Sequence, residues 1–137
     1  QENLFHLVTT DPPYIMNAEN YGSDERDLCH IKDLDVFNSK LEECLTNLKR
    51  LIKPSNFAEK KFHPIVMKVG SARRGESGLV DMSTELEIIA RRLGLVLHDK
   101  VINVLDSYWG MFNVSRCIDH RYSVKVHETN LVFVKYE

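Results

Sequence analysis

The chain has 137 residues, 43% of them apolar and 28% charged, with a formal net charge of −2. That length and composition fit one ordinary globular domain, residues 1–137. No apolar run is long enough to span a bilayer, and residues 1–10 lack the basic start and small-residue cleavage site of a signal peptide. Three scattered cysteines (Cys29, Cys44 and Cys117) form no disulfide framework and point to a reducing, cytoplasmic setting. Nucleic-acid binders more often carry a basic excess, so bulk charge lends DNA binding no support. The distribution is more suggestive. Residues 19–43 are rich in Asp and Glu, whereas Arg73, Arg74, Arg91, Arg92, Arg116, Arg121 and Lys125 lie in the later chain.

Residues 4–10 read as a buried strand that ends abruptly in Asp11-Pro12-Pro13-Tyr14. Pro12 biases Asp11 toward extended backbone. Neither proline has an N–H, so the turn offers carbonyl acceptors with few donors beside them. An ionised Asp11 only accepts hydrogen bonds, and Tyr14 adds a flat face. The combination suits a planar ligand that carries an amino group, such as a nucleobase. The bland alternative is a proline-rich turn with Asp11 as a local cap.

Residues 15–33 are polar and read as a loop. Asp35 is a good N-cap for the helix that follows. Phe37, Leu41, Cys44, Leu45, Leu48, Leu51 and Ile52 recur at helical spacing as one apolar stripe, which places Cys44 in the core. Lys49, Arg50 and Lys53 suit the helix C-terminus, and Pro54 stops it. A second strand spans 62–70, and 71–81 is a loop with Arg73, Arg74, Gly75 and Gly78. Ser83 or Thr84 then caps a helix whose buried face is Leu86, Ile89, Ala90 and Leu93, closed by Gly94. Residues 95–105 and 129–136 read as two more strands.

Strand, helix, strand, helix, strand is an α/β pattern. Crossovers that keep one hand and step one way put both helices on one sheet face. Leu7, Val8, Ile65, Met67 and Val101 cannot then all lie beneath them. The opposite face is expected to be covered by a missing segment, a partner or a second copy.

The connection 106–128 is long for paired strands. It holds Trp109, Phe112, Arg116, Arg121 and Tyr122. Such a mixture suits stacking on bases and contact with phosphates; covering the core edge is the equal alternative. Cys117, His120 and His127 match no standard zinc spacing, so no metal is expected.

Leu7-Val8-Thr9-Thr10 before Asp11-Pro12-Pro13-Tyr14 resembles the catalytic motif of the amino-methylating DNA methyltransferases, which use S-adenosylmethionine. The later chain agrees in order: Val69-Gly70, then Met82 to Leu93 closing on Gly94, then Val101-Ile102, then His127-Glu128-Thr129-Asn130-Leu131-Val132-Phe133-Val134-Lys135. The resemblance implies a partial Rossmann-like methyltransferase sheet of about four strands and two main helices, with a terminal antiparallel strand pair. It implies a site-specific DNA methyltransferase, and the Asp form of the motif implies adenine. It assigns catalysis to Asp11, Pro12, Pro13 and Tyr14, and cofactor contact to Asp11. Tyr14, Arg73, Arg74, Trp109, Arg116 and Arg121 become the candidate nucleic-acid contacts, and His127-Glu128 the structural entry to the last strand. The chain departs from the family in one respect: no Gly-x-Gly cofactor loop is present. In one circular arrangement of the family that loop follows the homologous region, so the chain reads as a catalytic half. A non-catalytic nucleic-acid-binding or regulatory remnant is the rival reading. So is an RNA or protein-glutamine methyltransferase, whose target presents a similar amino group.

Overall fold

The computed structural model describes residues 2–12, 28–31, 33–73, 79–104 and 127–136. Along them run β1 (Val8–Thr10), α1 (Leu34–Leu51), β2 (Pro64–Val69), β3 (Ser71–Arg73), β4 (Leu79–Asp81), α2 (Met82–Arg92), β5 (Val96–Val104) and β6 (His127–Val134). One sheet has the order β1-β2-β6-β5. Within it β1 runs parallel to β2, while β2–β6 and β5–β6 are antiparallel. The α/β class, the four-stranded sheet, the two helices and the terminal antiparallel pair all agree with the sequence reading.

Two segments expected to be plain loops carry regular structure. The 71–81 loop contains a small antiparallel pair, β3 with β4. The 15–33 loop contains a turn of 3-10 helix at Leu28–His30. Leu28 and Ile31 pack partly against the core, which gives that turn an anchor the polar sequence around it hides.

Helix α1 is capped by Asp33, two residues before the cap read from sequence. Asp33 is extended (φ −82°, ψ 127°), and its carboxylate accepts from the N–H groups of Asp35 and Val36. Asp35 then falls in the first turn, where its charge favours the helix dipole. Phe37, Leu41, Leu45 and Ile52 are buried, one or two turns apart. Cys44 is exposed, contrary to the core assignment. It stands one residue from Leu45, roughly 100° around the helix, which rotates it off the buried stripe.

Helix α2 is capped by Asp81 rather than Ser83 or Thr84. The Asp81 carboxylate accepts from the Ser83 N–H, the Ser83 hydroxyl and the Thr84 hydroxyl, so both hydroxyls serve the cap instead of forming it. At the other end Gly94 takes φ +72°, the left-handed conformation that ends many helices and favours glycine. The Lys49 ammonium of α1 donates to the Leu93 carbonyl, satisfying a terminal acceptor of α2.

Both helices lie on one face of the sheet, as expected. Asn38 donates to Glu85, and Arg92 donates to Glu42, tying the helices side by side. Beneath them Ile65, Leu131 and Phe133 have no exposed surface, and Met67 has almost none. Fully burying side chains of this size stabilises the fold by about 1.5–3 kcal/mol each. The pleat sends the neighbouring residues to the other face. Val8 pairs with Ile65 and Thr10 with Met67, so Leu7 points away from the helices and is 55% exposed. Val101, in register with Asn130, is 45% exposed on that same face. β1 is therefore a half-exposed edge strand and not the buried strand read from its apolar run. It has one strand neighbour and, among the described residues, helices on one side only.

Among the described residues no helix is long and apolar enough to cross a membrane, and no group of His, Cys, Asp or Glu could hold a metal ion.

Candidate active site

Parallel pairing brings the carboxyl ends of β1 and β2 to one edge of the sheet. β6 starts at that edge, because it is antiparallel to β2, and β5 finishes there. Asp11 and Pro12 follow β1 directly, Gly70 follows β2, and His127 and Glu128 open β6. Open α/β sheets take ligands beyond the carboxyl ends of their strands. The acid and the first proline of the motif therefore lie where the fold offers a binding edge.

Thr10 pairs with Met67, so Asp11 stands abreast of Lys68. The Lys68 ammonium is 2.8 Å from Glu128 Oε2 and 3.8 Å from Asp11 Oδ2. The first is a hydrogen-bonded ion pair, and the second lies beyond hydrogen-bond reach. Exposure rises along the row, from 22% at Glu128 through 39% at Lys68 to 55% at Asp11. Asp11 is thus the member most open to a ligand. All three side chains lie on the face away from the helices. At surface exposure such pairs contribute about 0–1 kcal/mol to stability, so the row matters for charge placement more than for folding.

Of the residues named from the sequence, Asp11 and Pro12 lie at this edge, and Arg73 ends β3, which begins one residue beyond Gly70. Pro13, Tyr14, Arg74, Trp109, Arg116 and Arg121 lie outside the described residues, as do Phe112, Cys117, His120 and Tyr122. The flanks of 105–126, Val104 and His127, sit at the same edge as Asp11. Lys68 was not singled out from the sequence. The signal was available: a lysine interrupts the apolar run Ile65-Val66-Met67-Lys68-Val69 at the position that parallel pairing sets beside Asp11.

No protein-family model matches the sequence. No curated protein matches it either. Solved structures do match. A Thermus thermophilus protein assigned as a DNA modification methylase is 20% identical with a TM-score of 0.67, over 99% of this chain and 47% of its own. The same protein complexed with S-adenosyl-L-methionine gives 21% and 0.65, over 99% and 49%. The PvuII DNA methyltransferase, cytosine-N4-specific, gives 18% and 0.64, over 99% and 44%. The chain spans about half the length of these proteins. Over that half, it has the fold of the DNA methyltransferases.

Proposed function

We propose that this chain is the catalytic subdomain of an S-adenosylmethionine-dependent DNA methyltransferase that modifies the exocyclic amino group of adenine. One observation carries the reading: β1 of a methyltransferase-type sheet leads directly into Asp11 and Pro12, the first two residues of the sequence Asp11-Pro12-Pro13-Tyr14. The Asp11 carboxylate and the Pro12 carbonyl accept hydrogen bonds from the target amino group and aim its lone pair. Tyr14 stacks on the flipped base, which must leave the duplex to be reached. Positioning and electrostatics carry the catalysis, and no nucleophilic side chain is required. Arg73, Arg74, Arg116 and Arg121 contact phosphates, and Trp109 adds a second stacking surface.

The chemistry of the described residues suits the reactive end of the cofactor. Its sulfonium is cationic, and Asp11 presents an accessible carboxylate at the strand end. When bound, S-adenosylmethionine supplies the activated methyl group. Its remaining contacts must come from elsewhere, because the sequence has no Gly-x-Gly loop. The exposed apolar residues of the open face, Leu7 and Val101, favour a further segment or a second copy lying there. The adenine assignment rests on the Asp form of the motif.

Calorimetry with S-adenosylmethionine and labelled methyl transfer to DNA, RNA and peptide by the full-length protein test the proposal. Label at adenine N6 in DNA is the expected result. Label at cytosine N4 corrects the base, and label in RNA or glutamine corrects the substrate. A full-length protein that neither binds the cofactor nor transfers methyl overturns the reading in favour of a non-catalytic remnant.

A further inference from the structure

The row Asp11, Lys68, Glu128 contains two carboxylates and one ammonium, and the ammonium sits asymmetrically between them. It touches Glu128 at 2.8 Å and stops 3.8 Å short of Asp11. A lysine bound directly to Asp11 would neutralise the carboxylate and occupy an acceptor oxygen. In the proposed reaction that oxygen must receive the target amino group. The nitrogen also gains positive charge as the methyl bond forms, so a full negative charge on Asp11 is worth most in the transition state.

We propose that Glu128 is a positioning residue that holds the Lys68 ammonium off Asp11. This rests on the catalytic role proposed for Asp11. The geometry supplies the means. Asp11 lies abreast of Lys68, which pairs with Asn130 two residues along β6 from Glu128. The three side chains therefore share one sheet face, and Lys68 reaches either neighbour by bond rotation alone. Glu128 is the least exposed of the three, so its charge is the least screened by water and wins the lysine. In Glu128→Gln the side chain keeps its shape and loses its charge. The ammonium then moves to the stronger acceptor, Asp11.

The test is methyl transfer by the full-length protein carrying Glu128→Gln, with and without Lys68→Met. Glu128→Gln should lower kcat by roughly tenfold. Adding Lys68→Met should recover most of that loss, because no ammonium remains to block Asp11. A structural role predicts that the unfolding midpoint falls together with kcat in Glu128→Gln, whereas a repositioned lysine lowers kcat alone. Thermal unfolding of each variant confirms that the compared proteins are folded. Wild-type kcat in Glu128→Gln overturns the proposal, and so does a double variant no faster than the single one. Asp11→Ala in the same series separates the two levels. If it retains activity, the catalytic reading of Asp11 fails and this proposal with it. If it is inactive while Glu128→Gln is unaffected, only the positioning role of Glu128 fails.

Discussion

The two faces of the sheet are built to different rules. Between the helices and the sheet Phe37, Leu41, Leu45, Ile65, Leu131 and Phe133 are sealed from water. On the opposite face Leu7 and Val101 are about half exposed, and the charged row Asp11, Lys68, Glu128 runs across the strands. One face supplies the folding energy and the other presents charge. A residue's period-2 position thus tells which task a substitution will damage.

The largest effect belongs to the open face. Asp11→Ala in the full-length protein should abolish detectable methyl transfer and leave the unfolding midpoint unchanged, checked by labelled transfer and urea denaturation. Near-normal activity would take Asp11 out of the mechanism. Phe133→Ala, on the closed face, should do the reverse. It should cost about 3–5 kcal/mol of stability, visible as a large drop in the urea midpoint. A loss under about 1 kcal/mol would mean that the helices do not seal the sheet as described. Tyr14→Ala comes next: it should weaken binding of target DNA by about 1–3 kcal/mol, measured by titration. No change would argue against a base stacked on that ring. Leu7→Ser with Val101→Ser is the matched control for Phe133. In the isolated chain the pair should shift stability by no more than about 0.5 kcal/mol per site. In the full-length protein, a larger loss would show that another segment or copy covers this face.

The same contrast explains how much the sequence discloses. The closed face was legible because burial leaves a periodic imprint. The i, i+4 stripe of α1, the buried face of α2 and the Gly94 stop all emerge from residue order alone. Local capping was harder to read. Asp33 and Asp81 compete with nearby Asp35, Ser83 and Thr84 for the same role, and backbone conformation decides between them. Cys44 shows the limit of a wide apolar stripe, whose rim residues face water. β1 shows another limit, since an apolar run does not say whether both its faces are covered. In the site, Asp11 and Pro12 were legible as a motif. Lys68 and Glu128 were not, because their meaning lies in the parallel β1–β2 and antiparallel β2–β6 registers, between strands more than 50 residues apart in sequence.

The smallest effect lies at the amino end of β1, away from the site edge. His6 Nε2 is 2.8 Å from the Lys53 ammonium. A lysine ammonium only donates, so Nε2 must be the acceptor and the ring neutral, with its proton on Nδ1. The positive charge of Lys53 lowers the His6 pKa below its ordinary 6.5, with lesser help from desolvation and from His63. The unfolded chain therefore binds more protons than the folded one just below pH 6.5, and stability rises with pH through that window. The His6 contribution is fully present above pH 6.5 and is lost as the pH falls through the lowered folded-state value. The urea midpoint should thus decline modestly between pH 7 and pH 5. Lys53→Met removes the main cause and should flatten the part of the decline that His6→Asn also removes. If neither variant changes the slope, the pair is broken in solution and the acid sensitivity has its source elsewhere.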